Sequence, residues 1–374
     1  MDKPRILFIS HTFPPIVGGV ETHNFELSTW LSKQTEVKLI ANKKRWLIPF
    51  FLVYAAIRAV LSSRKYDVVV LGSCILANVA WRLKLFGNKK PVVAIAHGLD
   101  LTWKNPIYQK IWVGIFMKKI DKFIAVGNET VKIAKEKGVS ENKIVFIPNG
   151  VDTEKHLVDS RRENLEKIIK QTVAGKKILL TSGRLAKRKG VAWFVDNVMP
   201  KLDNDFIYII AGDGPDKQNI FDMIKKNNLY SRVHVLGYIT DSVRNALLNT
   251  ADLFVQPNIK IPGDMEGFGI SVIEAGACRL PVLASSLEGL KDAIKDGQNG
   301  FLVESGNANA YVSKINELFA VGSPREIFGE KTRQFIIDNY SWEHISQRYL
   351  EEIKAVMTND KFPMSNKGQI SNSK

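Results

Sequence analysis

Residues 264–285 read DMEGFGISVIEAGACRLPVLAS: a loop, a helix and a buried strand in immediate succession. Gly267 and Gly269 free the backbone to come close to a ligand, and the first N–H groups of the helix that follows have no partner inside it. Such a helix start favours an anion. The helix, 270–277, is apolar on nearly every side, so it reads as buried, with Glu274 as its single carboxylate. Side chains on a helix lean toward its N-terminus, which lets Glu274 reach the space the glycine loop faces, with Glu266 flanking that space from the loop. A carboxylate accepting two hydrogen bonds suits a ribose diol, and a glycine loop on a helix start suits a diphosphate. Together they point to a nucleoside diphosphate. The bland alternative, a solvated glutamate on an ordinary helix, fits the apolar surroundings less well.

Around this stretch, short β-rich runs alternate with helix-length intervals, the pattern of a parallel sheet. The first half gives strands at 5–10, 37–41, 67–72, 92–97, 122–126 and 144–148, and the second at 177–182, 206–211, 233–237, 253–256, 281–284 and 301–303. The expected fold class is α/β, with two Rossmann-like doubly wound domains at 1–155 and 172–340 around a polar linker at 152–171. Ligands of such sheets sit beyond the carboxyl ends of the strands, so two domains facing one another make a cleft. An amphipathic helix anchored by Trp342 follows at 341–357, and a polar tail, 358–374, has the composition of a disordered segment.

The strand ends supply the remaining candidates. HTFPPIVGGVETH, 11–23, is a phosphate-type loop in outline, with Gly18 and Gly19 opening a helix, although it is not G-x-G-x-x-G. AIAHGLD, 94–100, sets His97 and Asp100 at the same edge; position alone leaves structural and functional roles for His97 equally open. IPNGVD, 147–152, turns at Asn149 and Gly150. In the second half, TSGRLAKRKG, 181–190, carries Gly183 and offers Arg184 and Lys189 as cations for a diphosphate, a solvated basic turn being the plainer reading. AGDGP places Gly212, and VHVLGYITD places Gly237 and Tyr238, where backbone groups or the ring could hold a base.

The net charge of +15 is unevenly spread: residues 1–150 hold 23 Lys and Arg against 10 Asp and Glu, and residues 151–374 hold 30 against 28. A basic first half implies a polyanionic surface nearby, nucleic acid or anionic lipid. Segment 43–66, KKRWLIPFFLVYAAIRAVLSSRKY, has six basic residues, Lys43, Lys44, Arg45, Arg58, Arg64 and Lys65, and no acidic one. Its apolar run, 46–61, is shorter than the roughly 20 residues a spanning helix needs, and suits a helix lying at an anionic membrane surface. A second basic-aromatic stretch, 103–122, carries Trp103, Trp112 and Phe116 with Lys110, Lys118 and Lys119. Each stretch alone also reads as a core helix with a solvated basic edge; the two together favour the membrane over nucleic acid. Cys74 and Cys278, the only cysteines, have neither metal-ligand spacing nor a disulfide framework, which with the absence of a signal-peptide pattern at the start points to the cytoplasm.

The spacing of Glu266 and Glu274, E-x7-E, resembles that of retaining glycosyltransferases of family 4. The ordered motifs FPPIVGG, HGLD, IPNGVD, SGRLAKRKG, GDGP, VHVLGY, EGFGISVIEA and SWEHI extend that resemblance over residues 6–357. It implies a GT-B fold, and a group that includes mannosyltransferases acting on lipid acceptors. By the same resemblance, Arg184 and Lys189 hold the donor diphosphate, Glu274 the ribose, and Glu266 with the amides of Gly267, Phe268 and Gly269 the donor sugar. Gly19 borders the diphosphate from the other domain, His97 lies by the transferred sugar, and the last helix packs back on the first domain. Asp100 and Asn149, at strand ends of the first half, are taken for the acceptor side. Cleft closure assembles the site. The resemblance further implies transfer with retention and no metal or other cofactor; Arg184, Lys189 and the helix start supply the charge a metal would otherwise bring. Two departures stand out: Arg279 where relatives have glycine between helix and strand, and no glycine in KQTEVKLI before strand two. The expected function is transfer of a sugar from a GDP-mannose-type or UDP-sugar donor to a lipid-linked or glycan acceptor at the inner membrane face. A nucleotide-sugar epimerase of the same fold and a basic binding protein are the alternatives.

Overall fold

The computed structural model describes residues 3–322 and 325–359. Among these, two six-stranded sheets form, with every strand pairing parallel. The first has the order β2-β1-β3-β4-β5-β6, from β1 (Arg5–Ser10), β2 (Glu36–Ala41), β3 (Val68–Leu71), β4 (Val92–Ala96), β5 (Lys122–Ala125) and β6 (Ile144–Phe146). The second has the order β12-β11-β10-β7-β8-β9, from β7 (Lys177–Ser182), β8 (Phe206–Ala211), β9 (Val233–Gly237), β10 (Leu253–Gln256), β11 (Val282–Ser285) and β12 (Phe301–Val303). Runs such as VVVL and VVAIA are apolar at consecutive positions because helices cover both faces of a parallel sheet. The edge strands β2, β6, β9 and β12 are partly exposed along their length, whereas interior strands are exposed at most at their first residue.

Each sheet reverses its strand order once. From β1 the chain steps to β2 on one side and returns to β3 on the other; from β7 it runs out to β9 and returns to β10. At such a reversal the connections leave toward opposite faces and open a crevice at the carboxyl edge. Five helices matter below: α1 (Gly19–Gln34), α2 (Ile48–Ser62), α3 (Asp241–Thr250), α4 (Ile270–Ala277) and α5 (Trp342–Asn359).

The chain divides into two compact units. One comprises Met1–Val126, Thr130–Ile147 and Ser346–Lys374, and the other Gly127–Glu129 and Pro148–Ile345. The division falls after Ile147, ahead of the 155 read from the sequence. Residues 152–171 are not an open linker: they hold a helix, Arg162–Ile169, with Leu165 buried and Arg162 donating to both oxygens of Asp252 at 2.6 and 2.7 Å. Within the first unit, α5 buries Tyr349, and its Arg348 donates to the Phe146 carbonyl at 3.2 Å while Glu352 pairs with Lys122 at 3.1 Å. The helix extends through Thr358 and Asn359, so the polar tail begins later than 358; residues 360–374, on which the disorder expectation falls, lie outside the described residues.

Helix α2 inverts the usual amphipathic pattern. Phe51, Ala55, Ala56 and Ala59 pack into the core, while Phe50, Val53, Tyr54, Ile57 and Leu61, together with Trp46 just before the helix, are exposed. The whole helical run Arg45–Lys65, 21 residues holding an 18-residue window of mean hydropathy 1.7, is by length and composition long enough to cross a membrane. Its small-residue face is nonetheless committed to the first unit's core. Lys43, Lys44, Arg45, Arg58, Arg64 and Lys65 are all exposed and form no ion pair among the described residues. The second basic-aromatic stretch splits: Trp112 donates to the Ile75 carbonyl at 2.9 Å and packs with Phe116, as a core helix does, whereas Trp103 stays exposed.

Candidate active site

The second unit gathers its candidates at the carboxyl edge of its sheet, where β7 and β10 flank the reversal. Gly190 decides how. Its φ is +66°, and a Cβ there would lie 1.9 Å from the Pro257 carbonyl oxygen, so only glycine lets the loop after β7 lie against the end of β10. The preceding single turn, Lys187–Lys189, thereby delivers Lys189 Nζ to 2.6 Å from Glu266 Oε2. Asn258 Nδ2 donates to the same oxygen at 3.1 Å, and Arg188 Nε stands 3.6 Å away. Burial alone would raise the Glu266 carboxyl, but Lys189 and then Arg188, with the hydrogen bonds from Lys189 and Asn258, outweigh it and hold the group below its ordinary value. The Glu266 amide in turn donates to Glu288 Oε2 at 2.7 Å.

This arrangement separates the two cations paired in the sequence reading. Lys189 is engaged by Glu266, while Arg184 is exposed and makes no ion pair among the described residues. Arg188 was missed although it lies inside the quoted KRKG; its guanidinium also reaches Asp264 at 3.2 Å. Gly183, Gly212 and Gly237 align at the ends of β7, β8 and β9, with the Gly183 amide on the Ala211 carbonyl at 2.9 Å and the Gly212 amide on that of Gly237 at 2.8 Å. A Cβ on Gly212 would lie 1.8 Å from the Gly183 carbonyl oxygen, so these glycines serve close backbone packing as well as access. Tyr238, just beyond, is 82% exposed.

Helix α4 starts at Gly269, φ +85°, with no side-chain cap. The Gly267 carbonyl is seated between Gly127 and Gly289, whose Cβ atoms would stand 2.6 and 2.4 Å from its oxygen. Phe268 is buried edge-on against Tyr340 at 5.8 Å, which leaves its backbone as the part able to meet a ligand. Glu274, the single carboxylate of a largely buried helix and so in need of a partner, has two neighbours. Arg244 Nη1 of α3 lies 3.3 Å from Oε2, and His156 Nε2 lies 3.6 Å from Oε1. Nothing in the sequence ties these three positions together; sheet topology does.

The first unit has its own cluster at the reversal between β1 and β3. His97 Nε2 is 3.1 Å from the Gly72 carbonyl, and its ring meets that of His23 edge-on at 5.2 Å. Burial, opposed by the charge of Asp100, holds His97 below the usual histidine value. Asp100, expected on the acceptor side, is instead buried with its carboxylate fully subscribed: Oδ1 accepts from the His97 and Gly98 amides, and Oδ2 from Ser73 Oγ and the Cys74 amide, all at 3.0 Å. It fixes the loops after β3 and β4, and with them His97. Asn149, the other acceptor-side expectation, is buried in the second unit, next to Gly150, where a Cβ would strike Trp342 at 2.5 Å.

Gly18 and Gly19 differ in kind. A Cβ on Gly18 would fall 2.3 Å from Glu21 Oε2, in a carboxylate whose other oxygen, Oε1, accepts from Thr12 Oγ1 at 2.6 Å, whereas one on Gly19 would meet nothing within 4 Å. Gly18→Ala is therefore expected to lower the melting temperature and Gly19→Ala to leave it unchanged, so a loss of activity in Gly19→Ala reports close ligand approach alone. His11, unsuspected from the sequence, is buried with Nδ1 unpartnered, and burial takes it from 6.5 to about 4. A histidine so lowered binds its proton more weakly folded than unfolded, so stability is complete above pH 6.5 and is lost as pH falls toward 4, by roughly 3 kcal/mol for this group. Melts of wild type and His11→Asn between pH 7 and 4 check this; the variant should lose part of the slope.

Comparison with known proteins bears on both units. The family description "Glycosyltransferase Family 4" matches residues 17–155, and "Glycosyl transferases group 1" matches residues 163–335. An uncharacterized glycosyltransferase of Methanocaldococcus jannaschii is 24% identical over 93% of this chain and 98% of its own. The UDP-Gal:alpha-D-GlcNAc-diphosphoundecaprenol alpha-1,3-galactosyltransferase of Escherichia coli is 28% identical over 68% of this chain and 67% of its own. Among solved structures, a glycosyltransferase from Rickettsia africae ESF-5 superposes with a TM-score of 0.77 at 22% identity, over 96% of this chain and 100% of that one. With a family 4 domain ahead of a group 1 domain on two parallel six-stranded sheets, the chain belongs to the glycosyltransferases of GT-B fold.

Proposed function

We propose that the chain transfers a hexose, with retention and without a metal, from a nucleoside diphosphate sugar to a lipid-linked or glycolipid acceptor at the cytoplasmic face of the membrane. The observation that carries the donor side is the grouping, at the strand reversal of the second sheet, of Lys189, Arg188 and Glu266 in the same unit as the glycine-led, uncapped start of α4. Lys189 and Arg184 neutralise the leaving diphosphate, and the amides after Gly267 add to them. Glu266, already claimed by Lys189 and Asn258, suits holding sugar hydroxyls better than attacking the anomeric carbon, which favours a front-face route. The E. coli relative's name, which pairs UDP-Gal with a diphosphoundecaprenol acceptor, supports a UDP-sugar and a polyprenyl-linked acceptor. The His97 cluster of the first unit is the acceptor end of the same reading.

A thermal-shift screen against UDP, GDP, ADP and their common sugars, with and without EDTA, tests the donor. Ligand at 100 times its dissociation constant stabilises by about 2.7 kcal/mol. A shift with one base that EDTA leaves intact supports the reading; no shift with any of the three counts against it. Product analysis by mass spectrometry then separates transfer from epimerisation, which needs no acceptor.

The membrane side rests on α2. Its exposed Phe50, Ile57 and Leu61 are each worth about 1.5–3 kcal/mol when fully buried, exposed Trp46 just before the helix extends the same apolar surface, and the unpaired cations at its two ends add about 1 kcal/mol each near an anionic surface. Neutralising Lys43, Lys44 and Arg45 together is expected to weaken co-sedimentation with phosphatidylserine liposomes severalfold at low salt. Unchanged sedimentation would remove the anionic surface from the reading.

A further inference from the structure

We infer that Arg244 and His156 are positioning residues for Glu274, setting its carboxylate to receive the two ribose hydroxyls of the donor nucleotide. The inference rests on the donor-site reading above and adds to it two residues that no motif contains. An ionised carboxylate has about four lone-pair positions. Asp100 shows what a purely structural one looks like in this chain: all four are filled by donors at 3.0 Å. At Glu274 Oε2 accepts from Arg244 Nη1 at 3.3 Å, while Oε1 has His156 Nε2 beside it at 3.6 Å, longer than a hydrogen bond, so each oxygen has one neighbour to orient it and keeps at least one position open. The side chain is still 17% exposed. Two open positions, one on each oxygen, match a vicinal diol.

Both partners are themselves fixed. His156 is buried, its Nδ1 hydrogen-bonds to Asn245 Oδ1 at 2.9 Å, and its carbonyl accepts from Asn249 Nδ2 at 2.7 Å, so α3 holds the ring and leaves Nε2 toward Glu274. Arg244 comes from the same helix, one residue before Asn245. Glu274 sits on a short, otherwise apolar helix whose one other polar side chain, Ser271, is engaged by Gln256 Oε1 at 3.2 Å rather than by Glu274. Three elements far apart in sequence thus converge on one carboxylate, and α3 supplies the rigid frame.

Ribose discrimination is the readout, measured as the ratio of affinities for UDP, GDP or ADP and the matching 2′,3′-dideoxy nucleotide by calorimetry. Wild type is expected to prefer the ribonucleotide at least tenfold, and Glu274→Ala to lose that preference. Arg244→Ala and His156→Phe should lose most of it too, Arg244→Lys should restore part, and Arg244→Ala should add nothing in the Glu274→Ala background. Affinity for the dideoxy nucleotide should stay within about twofold throughout, a selectivity that general damage to the fold would not produce. If Arg244→Ala and His156→Phe keep wild-type discrimination while Glu274→Ala loses it, the positioning inference is wrong and the ribose role of Glu274 stands. If Glu274→Ala keeps it, or none of the three nucleotides binds, the donor-site reading fails first and takes the inference with it.

Discussion

Lys189→Ala is expected to reduce sugar transfer by two to three orders of magnitude, the loss typical of removing one preorganised donor to developing negative charge. It should also destabilise the fold. Glu266 would keep Asn258 and the more distant Arg188, but its closest cation, at 2.6 Å, would be gone from a buried carboxylate. Breaking a buried pair from one side costs about 3–5 kcal/mol, and the remaining Arg188 brings the expectation here to roughly 2 kcal/mol. That corresponds to a fall in melting temperature of roughly 4–8 °C for a unit of this size. The double variant Lys189→Ala/Glu266→Gln removes the orphaned charge and should recover most of the stability while remaining inactive. This split between stability and activity is the test: recovery of both would mean that Lys189 serves only the fold. The pair has a pH signature as well. Because Glu266 is held below its ordinary 4.5, its contribution is complete above that value and shrinks as pH falls through the lower folded value. Melts of wild type should therefore fall faster below pH 4.5 than those of Glu266→Gln.

The second large effect is expected at Gly190, a position with no side chain to offer chemistry. Gly190→Ala meets two costs: about 1–2 kcal/mol for a left-handed backbone carrying a Cβ, and about 1–3 kcal/mol for overlap with the Pro257 carbonyl. Gly175→Ala isolates the first, since φ there is +69° and nothing lies within 4 Å. Chemical denaturation should place Gly190→Ala roughly 1–3 kcal/mol below Gly175→Ala. Since the overlap can be relieved only by moving the β7 loop off β10, Gly190→Ala should also carry Lys189 away from Glu266 and weaken donor binding, which Gly175→Ala should not. Equal stability of the two variants would show that the loop accommodates the methyl group, and that the close approach is not what positions Lys189.

Most of the architecture was legible in the residues. Eleven of the twelve strands were read within one residue at each end, and β6 ends two residues earlier than read, because β-branched runs buried on both faces leave a signal that does not depend on the partner strand. Glycines at strand ends marked the carboxyl edges for the same kind of local reason: Gly183, Gly212 and Gly237 hold backbone conformations that side chains resist. The composition of 43–66 likewise announced an unusual helix, and the buried Phe51-Ala55-Ala59 face against the exposed Trp46-Phe50-Leu61 face gives that composition its geometry. Where the reading fell short, the missing information was a pairing across distance. Asp100 looked like a ligand group until β3 brought Ser73 and Cys74 to it. Lys189 looked like a free cation until β10, set beside β7 by the strand order, brought Glu266 to it. Glu274 called for a partner that no local residue identified, until α3 and the loop at His156 brought Arg244 and His156 to it. The sequence by itself determined which residues could form strands, turns and helix starts, since those are choices of a few bonds. Only the tertiary structure decided which carboxylates are filled and which keep open positions, since that depends on donors tens to hundreds of residues away.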